Sequence, residues 1–354
     1  MNSNVPEFVI TEDGCNFCDA MVNANKRELL TDRERNSFIE SVKFSGKSKP
    51  YDCIIGLSGG LDSSYALHLA VNAGLRPLAV HMDNGWNSEL AQNNIANLVS
   101  ALGVDLYTHV IDWDEYREMM QSFFDADVLD IELLYDNAML AVNYQLAKKY
   151  NLKYILAGTN NATEGIPMPK GWNWYKYDKK NIQSIGSKLG NKLSDKSFPY
   201  ISTLDRVIFR QFYKINWVSF LDYFQYNKET AKELLVENYK YKPYPYKHYE
   251  SVFTRFYQGY ILPEKFKVDK RLPHLSALVV NGQISRAEGI ELLKTSPYPS
   301  ERELQLDKDY FLKKMGWNEK HLEEYLKRPE VSHNAYDSEV PFNQLIGRIK
   351  SWIR

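Results

Sequence analysis

The chain has 354 residues, room for one large domain or two modest ones, and its 44% hydrophobic content is ample for a buried core. Lys+Arg 44 against Asp+Glu 45 leaves a formal net charge of −1, so the basic excess of a typical nucleic-acid binder is absent. Three cysteines are too few for a disulfide framework, and no apolar run would span a bilayer or act as a cleavable signal. A soluble cytoplasmic protein without nucleic-acid or membrane partners is therefore expected.

Residues 25–45 carry the pattern of a charged amphipathic helix, behind an irregular head containing Cys15-Asn16-Phe17-Cys18. Cys15 and Cys18 have zinc-ligand spacing, but a structural zinc needs four ligands and no second Cys pair or nearby His follows. A short apolar strand, Cys53 to Ile55, then feeds Ser58-Gly59-Gly60-Leu61-Asp62-Ser63, and a helix over about 63–73 begins at once. Glycines let backbone N–H groups turn toward one point, Ser58 and Ser63 add hydroxyl donors, and the helix adds its positive dipole end. That nest suits an oligophosphate. The loop lacks the Lys of the usual Gly-x-x-x-x-Gly-Lys phosphate loop. Asp62, set among anion-binding donors, has a use if Mg²⁺ bridges it to the phosphates, and otherwise reads as an ordinary acid at a helix start.

A second strand is expected over 78–82, a helix over 87–102, a third strand over 104–111, and a helix from about 112. Another helix over 133–150 leads to a fourth strand at 154–157, followed directly by Gly158-Thr159-Asn160. This alternation predicts an α/β fold with a doubly wound parallel sheet, whose ligands sit at the carboxyl ends of the strands. The phosphate loop, the segment after His81 and the segment after Ala157 then share one edge. His81-Met82-Asp83-Asn84 also reads as a plain strand-to-helix turn capped by Asp83 or Asn84.

From 161 to about 198 the pattern loosens into Gly-, Pro-, Lys- and Trp-rich sequence, a length of loop that is usually functional or mobile. Helices are expected at 217–224, 228–238, 285–293, 307–314 and 320–325, with Pro297 and Pro299 between the later ones. The organisation read this way is a head (1–48), an oligophosphate-binding α/β domain (49–200) and a mainly helical substrate or partner region (201–354). Lys247, Arg255, Lys270 and Arg271 form a cationic strip laced with aromatics, and Trp172 and Trp174 stand in the loose segment. Planar cations suit carboxylates or phosphates and rings suit sugar faces, while a solvated charged face accounts for the same pattern. His248 and His274 are candidate acids or bases in that half.

Ser-Gly-Gly-x-Asp-Ser between a strand and a helix resembles the PP-loop of the ATP pyrophosphatase superfamily, which cleaves ATP between the α and β phosphates. By that resemblance Ser58, Gly59, Gly60, Asp62 and Ser63 bind ATP, with Ser58, Asp62 and Ser63 the catalytic candidates, and Met82 and Asp83 contact the adenosine. Gly158-Thr159-Asn160-Asn161-Ala162-Thr163-Glu164 is similar to the Gly-Thr-x-Asn-x-x-Glu strip of NAD synthetases. It implies that Gly158 and Thr159 touch the nucleotide and that Glu164 shares Mg²⁺ with Asp62. Over nearly the whole chain, the head, the loop, His-Met-Asp-Asn-Gly-Trp, Pro169–Trp174 and the Lys-His-Tyr-Glu-Ser and Asp-Lys-Arg strips resemble the bacterial N-acetyl sugar amidotransferase family.

That resemblance implies conversion of an acetamido to an acetamidino group on an acidic or nucleotide-linked N-acetyl sugar. The family acts on O-antigen and pseudaminic- or legionaminic-type sugars, with ATP and Mg²⁺. Its members carry a Cys-x-x-Cys upstream of this segment, so Zn²⁺ at Cys15 and Cys18 is an incomplete expectation here. No cysteine suited to sulfur transfer lies beside the active edge, and no glutaminase signature is present, so ammonia arrives free or from a separate glutaminase subunit. A NAD synthetase-like carboxylate ligase, a tRNA-modifying PP-loop enzyme (disfavoured by charge) and a nucleotide-sensing subunit are the rival readings.

Overall fold

The structure, a computed structural model, describes residues 1–2, 5–12, 14–25, 31–191, 198–244 and 249–353. Five parallel strands form one sheet in the order β3-β2-β1-β4-β5: β1 (Cys53–Gly56), β2 (Pro77–Asp83), β3 (Leu106–Val110), β4 (Tyr154–Ala157) and β5 (Asn216–Ser219). Before the sheet come α1 (Asn16–Asn25) and α2 (Asp32–Gly46). α3 (Leu61–Asn72) and α4 (Glu89–Leu102) flank β2, while α5 (Trp113–Asp125) and α6 (Leu133–Lys149) connect β3 to β4. α7 (Asn161–Glu164), α8 (Lys179–Lys188) and α9 (Thr203–Gln211) separate β4 from β5, and α10 (Lys228–Tyr239) follows the sheet. The rest is helical: α11 (Val252–Phe256), running on as a π-helical stretch at Tyr257–Phe266, then α12 (Arg271–Val280), α13 (Arg286–Lys294), α14 (Glu301–Met315), α15 (Glu319–Lys327) and α16 (Val340–Ile353). Among the described residues no helix is long and apolar enough to cross a membrane.

The two-residue period of β1 divides the interior. Cys53 and Ile55 join Ile39 and Val42 of α2, Leu67 and Ala70 of α3, Ile95 of α4 and Leu235 of α10 on one face. Ile54 faces the other core, with Phe123 and Phe124 of α5, Tyr144 of α6, and Phe253, Phe256 and Phe311 from the C-terminal helices. Because both faces are covered, the first three residues of β1 and the first six of β2 are buried and read as apolar runs interrupted only by His81, whereas β3, at the edge, alternates exposed and half-buried residues. Much of the chain's aromatic content lies in this second core, where Phe124 packs edge-on to Phe311, Trp317 and Tyr325.

The structure corrects the expected elements in three places. The head is not irregular throughout, since α1 begins directly after Cys15. The loose stretch after residue 161 contains α7 and α8. Trp217–Phe224, expected as a helix, is instead the fifth strand followed by a 3-10 turn at Phe220–Tyr223. Its apolar spacing fits either period over so few residues, and pairing with β4 decides the outcome.

The C-terminal region is tied to the sheet layer through a buried polar contact. The Asp130 N–H donates to His333 Nε2 at 3.2 Å, and His333 Nδ1 lies 2.7 Å from Asn181 Oδ1, so the ring is held neutral with its proton on Nδ1. Burial pushes the His333 imidazole down to about 4, against the opposing charge of Asp130. The unfolded imidazole, near 6.5, binds the proton more readily than the folded one. This contribution to stability is therefore complete above pH 6.5 and lost as pH falls toward 4, a loss on the order of 3 kcal/mol. Urea-unfolding midpoints measured over that interval should fall with pH, and His333→Gln should make the fall shallower.

Candidate active site

β1 and β4 are neighbours, but the connections after them lead to opposite sides of the sheet, so a crevice opens between their carboxyl ends. The Leu57 N–H still donates to the Val80 carbonyl at 2.8 Å, and the chain then turns through Ser58–Ser63. Gly59 has φ +83°, and a Cβ there would stand 2.8 Å from the Ala91 carbonyl oxygen, so only glycine meets both demands. Ser58 Oγ accepts the Gly60 N–H at 3.2 Å and lies 3.1 Å from Ser63 Oγ. Ser63 Oγ accepts the Ser58 N–H at 3.3 Å and donates to the Gly60 carbonyl at 3.1 Å. Helix α3 starts with Gly60 as its cap and no side-chain capping bond, so its first amides face the crevice as an anion cradle.

The end of β4 passes directly against that first turn. A Cβ on Gly158 would stand 2.7 Å from Ser63 N and 2.8 Å from the Asp62 carbonyl carbon. Thr159 Oγ1 lies 3.1 Å from Ser219 Oγ, joining the ends of β4 and β5. Asn160 caps α7 by accepting the Thr163 N–H at 2.8 Å, which sets Glu164 at the end of that short helix. Asp222 anchors the same turn, accepting the Asn161 N–H at 2.7 Å and its side-chain amide at 3.0 Å. Burial and then the Glu164 charge push the Asp222 carboxyl up.

Asp62 accepts a hydrogen bond from the Tyr226 hydroxyl. Burial raises that hydroxyl's pKa most, Asp62 adds to it, and Glu164 contributes further, so both predicted magnesium ligands lie within electrostatic reach of Tyr226. Among the described residues no three His, Cys, Asp or Glu side chains are close enough to hold a metal unaided. Two carboxylates within electrostatic reach of one hydroxyl suit Mg²⁺, which binds through one or two carboxylates plus phosphate oxygens and waters. Tyr244, Tyr226 and Asp222 were not among the sequence candidates. Tyr244 donates to the Gly59 carbonyl at 2.9 Å, and all three reach the loop or α7 from beyond β5 with no motif to mark them.

On β2, Asp83 Oδ1 accepts the Gly85 N–H at 2.8 Å and the Asn87 amide at 3.1 Å, so it shapes the turn at the crevice edge. Met82 is 3% exposed with its side chain in the core. His81 stands behind the loop, with Nδ1 2.9 Å from the Leu57 carbonyl and Nε2 3.0 Å from the Asn87 amide, and burial lowers its pKa.

The six residues proposed to contact substrate are distributed differently. Trp172 is 4% exposed within the core, and Trp174 donates to Asp178 at 2.8 Å while stacking on His333. Arg255 is ion-paired with Asp307 and lies over the Tyr249 ring, and Lys270 pairs with Glu132 at 2.8 Å. Arg271 pairs with Asp269 at 2.8 Å and donates to the Thr295 carbonyl at 2.8 Å. Lys247 and His248 lie outside the described residues. His274 Nδ1 lies 3.4 Å from the Thr163 carbonyl oxygen. Cys15 and Cys18 converge with sulfurs 3.2 Å apart, and burial and then Cys15 push the Cys18 thiol up to about 11. The absence of any three-residue metal group among the described residues leaves zinc without support.

Comparison with known proteins adds two matches. The NAD synthase family matches residues 33–167, and the C-terminal domain of WbpG-like LPS biosynthesis proteins matches residues 250–350. No curated protein matches the chain. Among solved structures, NMN synthetase from Francisella tularensis is 20% identical, covering 60% of this chain and 94% of its own, with a TM-score of 0.29. The NH3-dependent NAD synthetase from Campylobacter jejuni is 16% identical over 47% of this chain and 76% of its own, with a TM-score of 0.29. A predicted subunit of tRNA methyltransferase from Methanocaldococcus jannaschii is 16% identical over 52% and 73%, with a TM-score of 0.30. Overlays this loose say nothing about reaction or substrate.

The fold, the loop and the first match define a PP-loop, ATP-using enzyme of ligase type. Joined to the WbpG-like domain, they bear out the resemblance to the PP-loop N-acetyl sugar amidotransferase family and connect the chain with lipopolysaccharide sugar synthesis.

Gly158→Ala tests the contact that builds the crevice. The added methyl group would push β4 off the start of α3, and calorimetry should show at least about tenfold weaker binding of a non-hydrolysable ATP analogue, with unfolding shifted by about 1–3 kcal/mol.

Proposed function

We propose that this protein is an ATP-dependent amidotransferase that converts the acetamido group of an N-acetyl sugar to an acetamidino group for surface-glycan synthesis. The observation that carries the reading is the union, in one chain, of an anion cradle at the switch point with a C-terminal domain matched to lipopolysaccharide biosynthesis. An amide oxygen is a poor leaving group, so it must be activated. Its attack on the α-phosphorus of ATP forms a C–O–P bond and breaks the α–β phosphoanhydride, releasing pyrophosphate. Ammonia then adds to the imidoyl carbon and AMP departs with the oxygen, leaving the amidine.

In this reading Ser58, Ser63 and the first amides of α3 bind the departing pyrophosphate and pre-organise it, with no reorganisation needed as charge develops. Asp62 and Glu164 would hold Mg²⁺, which when bound offsets charge on the phosphate oxygens. Tyr226 fixes the Asp62 carboxylate by hydrogen bonding, and Gly158 sets how closely Thr159 approaches the nucleotide. Aligning two bound reactants supplies much of the remaining acceleration. The sugar would be acidic or nucleotide-linked, ammonia would come from a separate glutaminase, and the reaction would run in the cytoplasm. The NAD synthase match to residues 33–167 supports a second reading, activation of a carboxylate rather than an amide.

Incubation with ATP, Mg²⁺, ammonium and a panel of acetamido sugars should yield AMP and pyrophosphate with one sugar, together with replacement of one oxygen by NH. ADP instead of AMP would overturn the PP-loop mechanism, and AMP formed only with a carboxylic acid would establish the second reading. Asp62→Asn should lower AMP release by about 10²-fold or more.

A further inference from the structure

The C-terminal region reaches back to the phosphate loop. Residues 250–252 pair with the turn after β2: Ser88 N–H donates to the Glu250 carbonyl at 2.8 Å, Val252 N–H donates to the Trp86 carbonyl at 2.9 Å, and Asn87 bridges Ser251. This short ladder fixes the Glu250 backbone against the segment that borders the crevice. Its side chain goes further. The position a Cβ would take on Gly60 lies 3.2 Å from Ser58 Oγ and 3.5 Å from Glu250 Oε1. The Glu250 carboxylate therefore stands beside the same concavity as the Ser58 hydroxyl, at a loop position that has no side chain to separate them.

A second observation points to a ligand there. Tyr241 is 3% exposed, and its hydroxyl is buried with no hydrogen-bond partner among the described residues. It lies within electrostatic reach of both Glu250 and Asp62, with its ring 6.0 Å from that of Tyr244, which holds the Gly59 carbonyl. A buried hydroxyl left unpaired costs about 1–3 kcal/mol, so an orphan donor within electrostatic reach of two carboxylates is a position that bound oxygen atoms would satisfy.

We propose that Glu250, supplied by the C-terminal domain, faces the nucleotide's phosphates together with Asp62 and makes nucleotide binding conditional on a divalent cation. The inference rests on reading the loop as an ATP site. Two carboxylates beside a triphosphate repel it unless Mg²⁺ is present, and favour it once Mg²⁺ is bound. Glu250 is also the first residue of the WbpG-like match, so completion of the phosphate site depends on the C-terminal domain being docked.

The test is calorimetric binding of α,β-methylene-ATP to the full chain, with Mg²⁺ and with EDTA, and Mn²⁺ binding in the presence of the analogue followed by EPR. The wild-type protein should bind the analogue at least about tenfold more tightly with Mg²⁺. Glu250→Gln should narrow that ratio by about threefold or more, strengthening metal-free binding and weakening Mn²⁺ retention, while Glu250→Asp should restore most of it. An unchanged ratio in a folded Glu250→Gln protein would overturn the inference, and so would equal tightening with and without metal, the sign of a carboxylate that merely plugs the cradle. Failure of the wild-type protein to bind the analogue under either condition would overturn the ATP-site reading itself, and this inference with it.

Discussion

The close approach of two backbones, the end of β4 against the first turn of α3, is the constraint on which the rest of the site depends. It brings Gly158 within side-chain-excluding distance of Asp62 and Ser63. Helix α3 can then aim its amides into the crevice while β4 delivers Thr159 and α7 to the other wall. The sheet order supplies the crevice and the glycines supply the proximity. A loop of the same sequence on a helix a few ångströms farther away would still be a nest, but Asp62 would stand farther from Glu164, its proposed partner in holding Mg²⁺.

Around that contact the protein arranges carboxylates and tyrosines in place of the lysine found in other phosphate loops. Asp62 and Glu164 act on Tyr226 and Glu164 on Asp222 through their charges, and Tyr226 and Tyr244 hold Asp62 and the Gly59 carbonyl. An acidic phosphate site makes chemical sense only with a hard cation, which ties the nucleotide to its metal and leaves the loop's own donors for the anion. The described cations of the predicted strip are engaged elsewhere. Arg255 and Arg271 neutralise Asp307 and Asp269 within the helical region, while Lys270 pairs with Glu132 at the start of α6 and so joins that region to the sheet layer.

The aromatic richness of the chain follows the same division. Trp172, Phe253, Phe256 and Phe311 fill the core between sheet and C-terminal helices, and Trp174 covers the neutral His333. This packing joins the NAD synthase-like and WbpG-like segments across one continuous core. The junction positions Glu250 over the loop.

The strand–loop–helix at 53–72, the parallel sheet and the Gly-Thr-Asn strip were legible from sequence, because each is written in neighbouring residues: period-two or unbroken apolar runs, glycines at a turn, a cap three residues before its partner. What was not legible depends on residues brought together across long separations. Nothing near Trp217 says strand, since four residues fit two periods and only β4 offers the pairing that chooses. Nothing near Arg255 or Trp172 says core, because the partners that neutralise or bury them are brought near only by the packing. Tyr226, Tyr244 and Glu250 approach the loop from 164, 185 and, for Glu250 and Gly60, about 190 residues away, and their roles exist only as distances. The local sequence determined where an anion would bind, and the tertiary structure decided which acids and hydroxyls would surround it, since hydrogen bonds and charge act over a few ångströms of space regardless of separation along the chain.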